Sequence, residues 1–288
     1  MLKTLRWLAV ILAVLLLAPA ASAPQAQAPA PTYYVSISYL KTLPGQAAAH
    51  RTWITTMSKK FYQELMSAEP SFVHWDCAQN MFHAMEPQDH DYACVTVTQG
   101  APLDPGRDME PIYKKLGTTS ADYQAKLGTI RTVVGSELLR RISGTSATST
   151  GTTVEGNFRV TNQFKLTPGM MDEFTTRATT LTLPLMQSRV TTADGLKSWS
   201  MWTRLFPAGA AMDYDVVAVT SHGTLANAVG GGGGNPNGGA EAFMKVHPDK
   251  NFATYNNNGR EYATSQRRLI SRVVAMVERN AAKTSQNE

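Results

Sequence analysis

The feature that most constrains the fold of this chain is a strand pattern that occurs twice. The octet DYACVTVT at residues 91–98 recurs as DYDVVAVT at residues 213–220, with five of eight positions identical. Both octets are rich in β-branched residues, which is typical of β-strands. A strand that is written twice, 122 positions apart (213 minus 91), predicts two similar folding units in one chain.

Further landmarks recur in the same order. The segment YYVSISYLKTLPG at 33–45 resembles FRVTNQFKLTPG at 158–169, and both place a Lys before a Pro-Gly turn. FVHWDCAQNMF at 72–82 resembles LKSWSMWTRLF at 196–206. A helical stripe of apolar residues follows each Pro-Gly turn. In the second copy Pro184 predicts that this helix kinks or ends, because a proline nitrogen cannot donate the backbone hydrogen bond.

The order of elements in each copy is strand, helix, strand, strand, helix, strand, which is the ferredoxin-like unit. The predicted copies are residues 32–142 and 157–280, with a linker rich in Ser, Thr and Gly at 143–156 and a tail at 281–288. A four-stranded sheet with helices on one face leaves its other face open to water. We therefore expect an α+β fold in which two tandem ferredoxin-like βαββαβ units pack sheet to sheet.

This arrangement resembles the dimeric α+β barrel superfamily, in which two ferredoxin-like units join sheet to sheet, and the resemblance implies a dimeric α+β barrel-like body. The resemblance rests on the strand order and on the Lys-to-Pro-Gly turn, Trp and Asp-Tyr landmarks, and it covers nearly all of the chain after residue 32. Members of that superfamily include cofactor-independent monooxygenases, haem-binding and haem-degrading enzymes, lactone isomerases and proteins of no known activity. The resemblance implies a fold, and it transfers no catalytic residue to this chain.

The N-terminal segment predicts export. In residues 1–23 two basic residues precede an apolar run from Trp7 to Leu17, and small residues follow up to Ala23. This is the layout of a secretory signal peptide, and the apolar run is short for a bilayer span. We expect a periplasmic or extracellular protein with a disordered Pro/Ala/Gln segment at 24–31 and no stable membrane insertion. A retained membrane anchor is the alternative.

The charges give no indication of a polyanionic partner. The formal net charge is +5, and it falls to +3 when Lys3 and Arg6 are removed with the signal peptide. The basic residues are scattered and form no stripe, so neither nucleic acid nor an anionic membrane is expected as a partner. The oligomeric state stays open.

Cys77 and Cys94 are the only cysteines. An even pair in an oxidising compartment favours a disulfide. If residue 77 faces residue 94 on the neighbouring strand, the bond can form. If the register is shifted by one residue, Trp75 and Cys77 face Val97 and Val95, and the two sulfur atoms lie on opposite faces of the sheet. Both registers remain open from the sequence.

The candidate ligand-binding residues are a histidine and large aromatic side chains. His50 lies on the first helix, three residues before Trp53 and on the same side. The aromatic side chains could line a cavity or form the core between sheet and helices; they are Tyr39, Trp53, Trp75, Trp199 and Trp202. The candidate set is His50, Trp53, Trp75, Tyr39 and Trp199.

No cofactor or metal is expected. The six histidines include no His-x-x-x-His pair and no zinc spacing with the cysteines. His74 and His83 have opposite parity around the second strand, which argues against a shared metal site. The stretch GGGGGNPNGG at 230–239 lacks the context of a phosphate-binding loop and indicates a flexible surface loop that could cover a pocket.

Three functions are compatible with these observations. The first is an exported, soluble protein that binds a small apolar molecule. The second is an enzyme, either a cofactor-independent monooxygenase or a haem-handling protein, that uses a histidine and aromatic residues of the first copy. The third is an interaction module of the cell envelope. Catalytic residues are unknown in all three cases.

Overall fold

The alternating segments of the chain form β-strands. The computed structural model describes residues 31–82, 90–145, 154–190, 195–209, 212–230 and 238–279. Within them the strands are Tyr33–Thr42 (β1), Phe72–Asn80 (β2), Tyr92–Gln99 (β3), Arg131–Gly144 (β4), Phe158–Leu166 (β5), Leu196–Phe206 (β6), Val216–His222 (β7) and Ala263–Glu278 (β8).

Helices follow β1, β3, β5 and β7. They are Ala47–Trp53 (α1), Lys59–Ala68 (α2), Glu110–Lys115 (α3), Ser120–Gly128 (α4), Met171–Arg177 (α5), Leu183–Val190 (α6), Leu225–Val229 (α7), Gly238–Val246 (α8) and Phe252–Tyr262 (α9). One turn of π-helix, Ile54–Ser58, joins α1 to α2, and a second, Ala178–Thr182, joins α5 to α6.

The eight strands close into a barrel in the order β1-β3-β2-β8-β5-β7-β6-β4. Every pairing in this ring is antiparallel. The order within each half, β4-β1-β3-β2 and β8-β5-β7-β6, is that of a ferredoxin-like α+β fold. The halves join at their edges, where β2 pairs with β8 and β4 with β6. The inner faces of the two halves enclose one barrel interior, in line with the expected packing of sheet against sheet, and the edge strands satisfy their free backbone groups by pairing.

The strand register of the first half recurs in the second at a constant offset. Tyr39 faces Ala93 and Gln163 faces Val217, and both members of the second pair lie 124 positions later, since 39 plus 124 is 163 and 93 plus 124 is 217. The same offset relates the pair Cys77 and Cys94 to the pair at positions 201 and 218.

The octets that first indicated the repeat are therefore shifted by two residues from the structural correspondence. The carboxylate of Asp91 accepts a hydrogen bond from the backbone N–H of Thr42 at 2.7 Å, and Asp215 does the same for Leu166 at 2.9 Å. Asp91 thus corresponds to Asp215 and not to Asp213.

Among the residues that the structure describes, buried apolar side chains form three clusters. One lies between the first-half sheet and its helices and includes Trp75, Phe61 and Leu65. A second occupies the same place in the second half. The third lies inside the barrel and includes Val35 and Val97. Each sheet is thus apolar on both faces, because its outer face carries helices and its inner face encloses the barrel interior.

From Thr32 onward the described residues form one compact unit. The predicted linker 143–156 begins inside β4, which continues to Gly144. The predicted signal peptide, residues 24–30, His83, most of the glycine-rich stretch and the tail lie outside the described residues. In the described part of the chain no helix has the length and apolar character to cross a membrane.

Candidate functional site

The barrel interior contains a cavity to which both halves contribute. Its volume is about 70 Å³, counted as the space open to the centre of a water molecule. Much of its wall is apolar, and this part includes Val35, Ile37, Val95, Leu139, Val217 and Val219. Since one water needs roughly 10–15 Å³ by this measure, the cavity holds several waters, a small organic molecule or one end of a longer one.

Two tyrosines of the cavity wall share one carboxylate. Tyr39 on β1 donates its hydroxyl proton to Oε2 of Glu137 on β4 at 2.7 Å. Tyr214, just before β7, donates to the same oxygen. Both rings line the cavity. The carboxylate thus fixes two phenol groups in one orientation.

Arg204 completes this cluster. Its Nη1 lies 3.2 Å from the other Glu137 oxygen, Oε1, and its guanidinium carbon lies 3.9 Å from the centroid of the Tyr214 ring. Burial, followed by the neighbouring phenol and the Glu137 charge, raises the pKa of Tyr39 well above its ordinary value. Burial and the Glu137 charge likewise raise the pKa of Tyr214. Both hydroxyls therefore keep their protons at neutral pH.

A second polar cluster lies inside the barrel around Asp76 of β2. Oδ2 of Asp76 accepts a hydrogen bond from the guanidinium of Arg159 on β5 and lies 2.8 Å from Nε2 of His74. Burial opposes ionisation of Asp76, but the Arg159 charge and the His74 contact outweigh it, so its pKa is lowered. The cluster therefore holds an ion pair that bridges the two halves.

The two clusters lie toward opposite ends of the barrel. Strands β1 and β5 are four steps apart in the ring of eight, so they stand on opposite walls and run in the same direction. Tyr39 is the seventh of ten residues of β1, and Arg159 is the second residue of β5. The cavity, which both residues line, therefore has a largely apolar wall with a fixed polar cluster toward each end.

Of the five candidate residues from the sequence, the structure places Tyr39 at the cavity and brings no other member of the set there. Trp75 is buried in the first helix–sheet cluster, and Trp53 packs against that cluster. Trp199 lies in the corresponding cluster of the second half. Trp202, three residues further along β6, does line the cavity and donates its indole N–H to Oγ of Ser200 at 2.8 Å.

His50 lies outside the barrel, on the buried side of α1. It is fully buried, its Nδ1 is 2.8 Å from Oγ1 of Thr42, and its ring centroid is 4.6 Å from that of Tyr92. Burial and the positive charge of Arg131 lower its pKa to about 4, against a smaller opposing effect of Asp91. The imidazole is therefore neutral at physiological pH and packed as part of the core.

Sequence reasoning missed the charged residues of the interior. Glu137, Asp76 and Arg159 were not candidates, although each stands on the inward-facing side of its strand. The available signal was the alternation of side chains along a strand: Val35, Ile37 and Tyr39 all lie on the inner face of β1. A charged residue at an inward-facing position of a strand is unusual unless its charge is paired.

Cys77 and Cys94 face one another across β2 and β3 and are joined by a disulfide, with their Cα atoms 4.0 Å apart. This is the first of the two registers considered above, with Trp75 opposite Thr96. Cys77 is fully buried, on the outer side of the sheet in the cluster with Trp75. The bond therefore belongs to the helix–sheet core and lies away from the cavity.

The barrel interior does not fit haem. About 70 Å³ is far below the roughly 300–1,000 Å³ of pockets that enclose drug-sized ligands, and a porphyrin is larger still. Among the residues that the structure describes, no group of three or more His, Cys, Asp or Glu side chains could hold a metal ion.

No family model and no curated protein matches this sequence. Solved structures do resemble it. A presumed monooxygenase from Fusobacterium nucleatum subsp. nucleatum has a TM-score of 0.51 at 9% identity, over 87% of this chain and 96% of its own.

Two further solved structures are more distant. A presumed monooxygenase from Lactobacillus acidophilus has a TM-score of 0.49 at 9% identity, over 86% of this chain and 96% of its own. A presumed chlorite dismutase has a TM-score of 0.45 at 14% identity, over 85% and 95%. The Fusobacterium protein is of the dimeric α+β barrel type. At 9% identity the likeness shows that the present chain shares its fold, and it shows nothing about activity.

Proposed function

We propose that this protein binds a small, largely apolar molecule inside its barrel. The observation that carries the proposal is the cavity itself, whose wall is largely apolar and has a fixed polar cluster toward each end. Ligand sites are typically concave and apolar with a few fixed polar groups. The tyrosine hydroxyls are fixed by Glu137, and Arg159 is fixed by Asp76, so both ends of the cavity are already ordered.

The proposal includes export and an internal duplication. The signal-like segment at residues 1–23 supports export, and the disulfide between Cys77 and Cys94 suits an oxidising compartment. The constant offset of the strand register supports a duplication of one ferredoxin-like unit. A duplicated unit that has diverged explains why the two tyrosines face the cavity without a matching pair across the barrel.

The direct test fills the cavity. Ala93 lines it from β3, and Ala93→Leu places extra side-chain volume inside it. Binding of toluene and phenol to the purified protein is measured by ligand-observed NMR and by thermal shift. We expect at least one of these probes to bind. Ala93→Leu should weaken its binding by on the order of tenfold or more, because the larger side chain clashes with the bound probe.

The matched control is Ala226→Leu, since Ala226 is an exposed alanine on α7. It should bind the probes as the unchanged protein does. If neither probe binds at millimolar concentration, or if Ala93→Leu and Ala226→Leu bind them equally, the cavity is not the binding site and the proposal fails.

A second candidate function is cofactor-independent oxidation of the bound molecule by dioxygen. It is favoured by His90, which lines the cavity with its ring centroid 4.5 Å from that of Tyr39 and could exchange a proton with a bound molecule. Oxygen consumption after addition of a bound hydroxyaromatic compound distinguishes the two. Uptake that is lost in His90→Phe favours the enzyme, whereas binding without uptake favours the binding protein.

A further inference from the structure

The tyrosine end of the cavity presents hydrogen-bond acceptors. A phenol has one proton to donate and two lone pairs that accept. The single protons of Tyr39 and Tyr214 are both directed to Oε2 of Glu137, so neither hydroxyl has a proton left for a molecule in the cavity. Tyr39 and Tyr214 line the cavity, whereas Glu137 is not part of its wall.

Several neighbouring donors at this end are engaged as well. Nη1 of Arg204 is hydrogen-bonded to Glu137, and Nδ2 of Asn80 donates to the backbone oxygen of His90 at 2.7 Å. The indole N–H of Trp202 is donated to Ser200. The His90 ring can donate or accept, according to its tautomer, so it gives no preference. The amide of Gln163 and the second Nδ2 proton of Asn80 also line the cavity and can donate, so the contribution of the two tyrosines has to be measured at the tyrosines themselves.

We propose that the cavity selects small apolar molecules that carry a hydroxyl or amino group, with the donor of that group directed to the hydroxyl oxygens of Tyr39 and Tyr214. This inference rests on the proposed binding function and adds the class of ligand. Glu137 is a positioning residue, since it does not line the cavity and acts by holding both phenol protons. Molecules of the same size that can only accept, such as aldehydes, are disfavoured at the two tyrosine oxygens, because their oxygen meets lone pairs there.

Raised pKa values support the arrangement. Burial and the adjacent carboxylate raise the pKa of both tyrosines. The two phenol groups therefore keep their protons, and their hydrogen bonds to Glu137, at ordinary pH. The acceptor character of this end is therefore constant over the physiological pH range.

The test compares four single-ring probes of nearly equal size: phenol, aniline, toluene and benzaldehyde. Dissociation constants are measured with the full mature chain by ligand-observed NMR. We expect phenol and aniline to bind roughly tenfold tighter than toluene and benzaldehyde, the effect of about one hydrogen bond. Tyr39→Phe and Tyr214→Phe, which keep the ring and remove the hydroxyl, should each reduce the preference for phenol over toluene several-fold.

Tyr34→Phe is the matched control, because Tyr34 stands on the same strand with the opposite parity and does not line the cavity. It should leave the preference unchanged. Glu137→Gln offers an amide that can donate to one tyrosine oxygen and so frees a phenol proton. The affinity for benzaldehyde should then rise relative to the affinity for toluene. A merely structural role of Glu137 would not produce this change.

The two proposals fail in different ways. Equal binding of all four probes, or a phenol preference that survives both tyrosine substitutions, overturns the ligand class and leaves the binding function standing. Absence of binding by every probe overturns the binding function itself.

Discussion

Arg159 on β5 donates a hydrogen bond to Asp76 on β2, and this contact crosses from one half of the barrel to the other. The Asp76 side chain is fully buried and that of Arg159 nearly so. Removing one partner of a buried ion pair leaves an uncompensated charge, which costs more than the pair itself contributes. The contact therefore ties the folding of each half to the other.

We expect Arg159→Met to lower the free energy of unfolding by roughly 3–5 kcal/mol, because Asp76 is left buried with His74 as its remaining neighbour. Denaturant unfolding measures the change. The double variant Asp76→Leu/Arg159→Met removes both charges and should recover much of the loss. If the single and double variants are equally stable, the ion pair does not link the halves.

His50 should make stability depend on pH in mildly acidic solution. Its pKa is about 4 in the folded protein, against roughly 6.5 in an unfolded chain. The unfolded state therefore binds a proton that the folded state rejects between these values, so stability is complete above pH about 6.5 and falls as the pH drops toward 4. The contribution is at most roughly 3 kcal/mol.

His50→Phe is the matched variant for this prediction. The structurally corresponding position in the second half is Phe174, 124 residues later, which is likewise a buried residue of its helix, α5. Between pH 4 and 7 the free energy of unfolding should depend less on pH in the variant than in the unchanged protein. An equal pH dependence in the two proteins would mean that His50 is protonated equally in the folded and unfolded states.

Strand order was predictable from the sequence and the resemblance implied a barrel-like body, whereas the edges at which the barrel closes were not predictable. Alternation and the Pro-Gly turns located the strands of both halves, because these signals are local. Which free edges pair is decided by contacts distant in the chain, as between β2 and β8. The helix at Pro184 also continues to Val190, since the π-turn Ala178–Thr182 ends just before it and Pro184 stands in the first turn of α6, where a missing N–H costs little.

The site was only partly predictable for a related reason. Large aromatic residues were chosen for their area, yet Trp75 and Trp199 share the parity of the helix-covered face and lie in the two outer clusters. Tyr39 lies on the opposite, inner face of the sheet and lines the cavity. A single strand does not reveal which face is inside when both are apolar, as they are here. Glu137 and Arg159 reveal it only once their partners on other strands are known.

The disulfide should contribute substantially to stability. It joins residues 17 positions apart, and closing a loop of that size in the unfolded chain corresponds to roughly 3 kcal/mol. Reduction should lower the free energy of unfolding by about that amount, measured by denaturant unfolding with and without reductant.

The second half supplies the control for this prediction. At the positions that correspond to Cys77 and Cys94 it has Met201 and Ala218, which face one another in the same register. The double variant Cys77→Met/Cys94→Ala should fold, be less stable than the oxidised protein and show no response to reductant. A response in the double variant would show that the reductant acts elsewhere.

Trp202 should report occupation of the cavity. It is the one tryptophan among the described residues that lines the cavity, whereas Trp75 and Trp199 lie behind the sheet among the helices. A molecule that enters displaces water near the indole and changes the polarity that its fluorescence senses. We expect saturation with phenol to shift or quench the emission, and Trp202→Phe to abolish that change while Trp199→Phe retains it. A ligand-dependent signal that persists in Trp202→Phe and disappears in Trp199→Phe would instead place the bound molecule between the second-half sheet and its helices.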